Sequence, residues 1–235
     1  MDSAIDRQID TRLIALDEEE SVGRTPSGKL TASSLGYPLQ WQILKSLGVK
    51  PAPVDPYTMR KFMRGRHVED WVIGNIGGVV ETQRTVSYRD VVGRVDALVN
   101  TVDWDFKLGV IPVEVKSVTN AKYKRILAQK GTDRGHRLQA GLYALALDAP
   151  DFAVIYVASD DYRVRVHIHS TREVQKEIDG IIDKYLEQLP HGVPTFEPIE
   201  GWQAKPEYNK YPEWSKLTED EIKSKLKKEY GIICR

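Results

Sequence analysis

Apolar residues recur every three to four positions in some stretches of the chain and every second position in others, and the alternation between these two periods marks out its elements. Residues 2–20 place Ile5, Ile9, Leu13 and Leu16 at helical spacing among seven acidic residues. This predicts an amphipathic helix whose acidic end, Asp17 to Glu20, is a solvated face. The stretch 21–31, rich in Gly, Ser and Pro, reads as a loop. A short helix is expected over 35–47, and a longer one from Asp55-Pro56, an N-cap followed by proline at the first helical position, to about Ile76, where Gly77-Gly78 stops it.

The period then drops to two. Residues 79–88, 91–100 and 110–118 are rich in β-branched residues and separated by turn signals, so three antiparallel strands are predicted. A helix is expected over 134–148, a second hairpin over 152–159 and 162–170 across Asp160-Asp161, and a long helix capped by Thr171 and running to Leu189. A Lys/Glu-rich helix is expected over 218–230. The order of helix, three strands, helix, two strands, helix defines a compact α/β domain with a mixed sheet flanked by helices.

A length of 235 residues suits one domain with elaborations. Thirty-four Lys+Arg balance thirty-four Asp+Glu, which argues against coating nucleic acid or an anionic membrane by bulk electrostatics. The single cysteine, Cys234, excludes an intrachain disulfide, a four-thiolate zinc site and a cysteine-held iron–sulfur cluster, and suits a reducing compartment. The N-terminal residues are acidic and carry no apolar run, and no stretch is long and apolar enough to span a membrane. A cytoplasmic location is expected, or the host cytoplasm if the chain is viral.

Simple alternation places Val91, Gly93, Val95, Ala97 and Val99 on one face of the second strand, with Arg94, Asp96 and Leu98 on the other. In the third strand, Glu114 and Lys116 point the same way. A hairpin centred near Asp105 puts position 96 opposite 114, with Cβ atoms about 4.5–5.5 Å apart. Two such carboxylates repel unless a cation intervenes, and their oxygens suit Mg²⁺ or Mn²⁺; Lys116 could then hold a water or neutralise phosphate charge. Taken alone, the three residues equally fit a surface salt-bridge ladder. On the helix from Arg134, Gln139 and Tyr143 share a stripe beside Leu138, Leu142 and Leu145, so this polar pair suits substrate positioning, or simply a partly exposed Gln beside a packed Tyr.

Asp96, then Glu114-Val115-Lys116, then Gln139-Ala-Gly-Leu-Tyr143, with Gly65-Arg-His-Val-Glu69 upstream, resemble the motifs of the PD-(D/E)XK nucleases, closest to the RecB-type domains and the phage and CRISPR-associated exonucleases. The resemblance covers roughly residues 55–190. It implies a restriction-endonuclease-like core over 55–190, with a helical extension over 1–54 and a second extension over 191–235 that packs on the core. It implies that Asp96, Glu114 and the Val115 carbonyl hold catalytic Mg²⁺ or Mn²⁺ with Glu69, that Lys116 assists a nucleophilic water, and that Gln139 and Tyr143 orient the DNA backbone or the lysine. His67 competes with Glu69, but residues two apart on a helix point about 200° from one another, and Glu69 is preferred. Val95 stands where a proline usually precedes the aspartate. The four cysteines of the iron–sulfur relatives are missing, so no cluster is expected, and residues such as Trp41, Trp202 and Trp214 are expected to join the terminal segments.

Between Lys116 and Arg137 stand seven Lys or Arg and one acid, Asp133, with Tyr123 and His136 interleaved. Lys122, Lys124, Arg125, Arg134, His136 and Arg137 are therefore candidate DNA contacts at the entrance to the site. The resulting expectation is a metal-dependent DNA nuclease, an exonuclease on DNA ends or single strands in recombination, repair or phage replication. The alternatives are a catalytically silent DNA-binding or adaptor protein of the same fold, and a site-specific endonuclease. DNA is the expected partner, with a homo-oligomer or recombination and replication proteins also open.

Overall fold

The computed structural model describes residues 5, 8–15, 29–104, 108–129, 131–191 and 209–234. Residues 8–15 are helical, while the rest of the expected N-terminal helix, most of the loop at 21–31, Asp105, Lys130 and Trp202 lie outside the described residues. Along the chain follow α1 (Leu39–Ser46), α2 (Pro56–Asn75), β1 (Val79–Tyr88), β2 (Val91–Asn100), β3 (Val110–Val118), α3 (Asn120–Gln129), α4 (Arg134–Ala146), β4 (Asp151–Ala158), β5 (Val164–Ser170), α5 (Arg172–Gln188) and α6 (Glu219–Tyr230).

The strands form one five-stranded sheet in sequence order. All neighbours run antiparallel except β3 and β4, which are parallel and are joined by a crossover through α3 and α4. The α/β class with a mixed sheet and flanking helices is as expected from the sequence. The β2–β3 register, Ala97↔Val113 to Asn100↔Val110, keeps the constant sum that placed position 96 opposite 114.

Each face of the sheet buries its own apolar cluster. On one, Val68 and Val72 of α2 pack on Ala97, Val99, Ile111, Val113, Ile155 and Val157. On the other, α4 and α5 pack on Val95, Leu98, Val154 and Tyr156, and the same cluster takes in Trp41, Ile43 and Leu44 from α1 with Tyr211, Trp214 and Leu226. Trp41 meets Tyr211 edge-on at 6.3 Å between ring centroids.

Local chemistry sets most boundaries. Asp55 caps α2 by accepting from the Thr58 N–H at 3.1 Å, with Pro56 in the first turn. Thr218 and Glu221 form a reciprocal capping box at the start of α6.

The structure departs from the sequence reading in three places. Helix α3 was not predicted: its ten residues bury only Tyr123 and Ile126, too few apolar positions to show a stripe. Thr171 does not cap α5, since its backbone is already helical and its hydroxyl donates to the Ala149 carbonyl at 2.7 Å. Finally, β2 does not present one continuous apolar row. Val91 and Val95 belong to the cluster under α4, but Ala97 and Val99 belong to the cluster under α2. The alternation inverts as the chain passes through Asp96.

Candidate active site

The inversion at Asp96 lies where two ladders fail together. The β1–β2 pairing runs from Tyr88↔Val91 to Arg84↔Val95, resumes at Thr82↔Ala97, and leaves Gln83 and Asp96 unpaired between. The β2–β3 ladder ends at Ala97↔Val113, one step short of Asp96 and Glu114. Past that step β2 and β3 part, and Val92 donates its N–H to the Leu30 carbonyl at 3.0 Å. A cavity of about 440 Å³ opens beside this fork.

Seven of the residues singled out in the sequence line that cavity: Glu69 from α2, Asp96 from β2, Glu114, Val115 and Lys116 from β3, and Gln139 with Tyr143 from α4. Asp96 accepts the Val115 N–H at 2.8 Å, so its carboxylate stands in for a backbone acceptor where the ladder stops. Glu114 is 1% exposed. One of its oxygens accepts from the Lys116 ammonium, and the other, Oε2, is buried with no hydrogen-bond partner among the described residues. Gln139 donates to the Tyr143 hydroxyl at 2.9 Å, one helical turn on. Gly93 makes room for that tyrosine: a Cβ there would lie 2.5 Å from Tyr143 Cε1.

Burial dominates the electrostatics. It pushes the Asp96 carboxyl well above the usual range, and the charges of Glu114 and Glu69 add to the rise. Glu114 is raised by burial against the opposing pull of Lys116. For Lys116, burial alone would lower the ammonium, but the Glu114 and Asp96 carboxylates outweigh it and hold the group above the ordinary lysine range. Tyr143 is pushed far up by burial and by Glu114, and stays a neutral hydroxyl.

These residues fit a hard divalent cation. The donors are carboxylate oxygens and a main-chain carbonyl, the type that Mg²⁺ and Mn²⁺ take. Moreover, an unpartnered buried oxygen on Glu114 is costly unless a cation or a donor reaches it. Among the described residues no three His, Cys, Asp or Glu side chains already converge as a ligand set. Each of the three carboxylates instead holds a donor of the protein: Glu69 the Gln83 amide, Asp96 the Val115 N–H, Glu114 the Lys116 ammonium.

His67 is exposed on α2 and does not line the cavity. Nor do any of the six candidate DNA contacts. Arg134 and Arg137 reach across to Glu177 of α5, at 2.6 and 3.4 Å, and Lys122 pairs with Asp133 at 3.2 Å. His136 shares a hydrogen bond of 2.9 Å with the Tyr156 hydroxyl, which also accepts the Asp133 N–H at 3.0 Å. Burial, aided by the charge of Lys116, brings this imidazole down to about 3, so it is neutral at physiological pH. Lys124 and Arg125 are exposed on α3.

Sequence reasoning missed Thr31, Ser33, Thr85 and Arg94, all of which line the cavity. Arg94 stands two residues before Asp96, a signal that could have been read. Thr31 and Ser33 arrive only because the chain at residues 30–31 docks where β2 and β3 part, which no local pattern announces.

Among solved structures, the chain is similar to LHK-Exo, an alkaline exonuclease from Laribacter hongkongensis, with a TM-score of 0.51 and 15% identity over 69% of this chain and 88% of that one. For the complex of LHK-Exo with dAMP the TM-score is 0.52 and the identity 14%, over 70% and 89% of the two chains. No protein-family model and no curated protein sequence matches. The mixed five-stranded sheet with its flanking helices is therefore a fold shared with a solved nuclease.

Proposed function

We propose that the chain is a PD-(D/E)XK-type, metal-dependent DNA nuclease, acting as an exonuclease on DNA ends or single strands. The observation that carries this reading is the gathering of Glu69, Asp96, Glu114, Lys116, Gln139 and Tyr143 from four separate elements around one cavity. The fold shared with an alkaline exonuclease, and the binding of dAMP by that neighbour, support it.

In this reading Asp96, Glu114, the Val115 carbonyl and Glu69 hold Mg²⁺ or Mn²⁺. The cation, when bound, supplies Lewis-acid stabilisation of the charge that develops on a phosphodiester. Lys116 remains protonated between Glu114 and Asp96 and presents donors to an attacking water or a phosphate oxygen. Gln139 fixes the Tyr143 hydroxyl, and the pair orients the lysine or the DNA backbone.

The test is digestion of 5′- and 3′-labelled single- and double-stranded oligonucleotides with Mg²⁺ and Mn²⁺. Degradation from an end is expected, and Glu114→Ala should abolish it while the protein stays folded. A protein that binds DNA with salt sensitivity but never cuts would instead be the silent adaptor, and discrete fragments from circular plasmid would make it a site-specific endonuclease.

A further inference from the structure

Gln83 is the residue of β1 whose backbone departs from the extended conformation into positive φ. It sits in the middle of an edge strand with a φ of +55°, the left-handed conformation that side-chain-bearing residues other than Asn and Asp rarely adopt. It is directly across from Asp96 in the β1–β2 register, and at this step alone between Glu81 and Tyr88 the pairing lapses. Its side-chain amide crosses to α2 and donates to Glu69 Oε1 at 2.5 Å. Irregularities of this kind at sheet edges re-aim side chains, and an outlier held by its surroundings points to a role.

We infer that Gln83 is a positioning residue for the carboxylate cluster: its left-handed turn aims the amide that fixes Glu69 and releases Asp96 from the β1 ladder. The inference rests on the cation-binding part of the reading above. Two consequences of one kink support it. With no β1 partner at this step, β2 inverts its alternation at Asp96, and the Asp96 carboxylate turns to the Val115 N–H. At the same place the Gln83 side chain swings to the one acid of the cluster that comes from a helix rather than the sheet. An amide suits this task because it is a neutral donor. It orients Glu69 without cancelling the negative charge that acts on Asp96 and Glu114, whereas the ammonium of Lys116 neutralises its partner. Outer contacts that orient a ligating carboxylate are generally worth 10- to 100-fold in metal affinity.

The experiment measures Mn²⁺ binding to the full chain in the absence of DNA, from the electron paramagnetic resonance signal of free Mn²⁺. Gln83→Gly keeps the left-handed turn open to the backbone but removes the amide. It should fold with a melting temperature close to that of the wild type and weaken Mn²⁺ binding by about 10-fold or more. In a Glu69→Ala background the same substitution should change the affinity less than 2-fold, because the carboxylate it positions is gone. Wild-type affinity in Gln83→Gly overturns the proposal, as does an undiminished loss in the Glu69→Ala background, or a wild-type protein with no Mn²⁺ site sensitive to Glu114→Gln. A protein that passes these tests yet leaves every DNA substrate intact retains the positioning role and loses the nuclease reading.

Discussion

Two charged regions of the molecule treat charge in opposite ways. Around the cavity, three carboxylates gather with Lys116 and Arg94, and burial moves both Asp96 and Glu114 upward. Along the basic segment that follows β3, several charges are answered by acids of the protein: Arg134 and Arg137 share Glu177 and Lys122 pairs with Asp133, while His136 is kept neutral against Tyr156. In the sequence the second region looks the more active, since its cations are dense and local. The counter-charge of its two paired arginines, however, comes from Glu177, some forty positions away. Density of charge along the chain is thus a poor guide to where a charge is left available. Burial with an unpartnered polar atom, as at Glu114, is a better one.

The widest gap between the regions is expected in turnover. Lys116→Ala removes the ammonium that pairs with Glu114 in the cavity wall and should lower DNA degradation on the order of 10²–10³-fold, the usual effect of losing one preorganised donor. Arg134→Ala and Arg137→Ala, assayed side by side with it, should change the rate by less than about 3-fold. Equal losses in all three variants would erase the distinction.

A second separation is in how stability depends on pH, measured by denaturant unfolding with a chelator present. Asp96 has a raised pKa in the folded chain, so the folded state binds the extra proton. Its contribution is complete below the unfolded value near 4 and is lost as pH rises through the folded value. His136 is the reverse: folded at about 3 against 6.5 unfolded, it contributes fully above about 6.5 and loses that contribution as pH falls toward 3. One group can impose at most about 1.4 kcal/mol per pH unit, and partial exposure of His136 narrows the pH span over which it acts. The two slopes oppose each other above about pH 4, up to the lower of 6.5 and the folded Asp96 value. Asp96→Asn should make stability rise more steeply with pH across that window, and His136→Asn should make it rise less or fall. Unchanged curves in both would show that neither group feels its burial.

The fold was legible in the sequence because its signals are local. Period-two stretches of Val, Ile and Thr bounded by Asp- and Gly-containing turns gave all three strands of the first meander at the observed residues. Capping at Asp55 was equally plain, whereas the cap expected at Thr171 does not form. The motif residues Asp96, Glu114, Lys116, Gln139 and Tyr143 do come together at one cavity. What was not legible depends on tertiary structure. Helix α3 is held by two buried residues and a crossover, the inversion at Asp96 by the conformation of Gln83, and the pairing of Arg134 and Arg137 by an acid on another helix. A strict alternation rule assigned Ala97 and Val95 to one face and could not have foreseen that a residue on the neighbouring strand would part them.

The smallest effects should come from the basic segment itself, and they discriminate within it. Arg134 and Arg137 are 57% and 33% exposed in their pairs with Glu177, so each truncation should cost no more than about 1 kcal/mol of stability. Their charge is already answered, whereas Lys124 and Arg125 are exposed and form no ion pair with a described residue. A phosphate contact contributes about 0.9 to the slope of log affinity against log salt on duplex DNA. Measured on the Glu114→Ala background, where binding can be followed without cutting, Lys124→Ala or Arg125→Ala should reduce that slope by up to one contact. Arg134→Ala should reduce it by much less, because its guanidinium is engaged by Glu177 and does not line the cavity. If Arg134→Ala lowers the slope as much as Lys124→Ala, the pairing with Glu177 gives way to phosphate when DNA arrives, and the matched region is a binding surface after all.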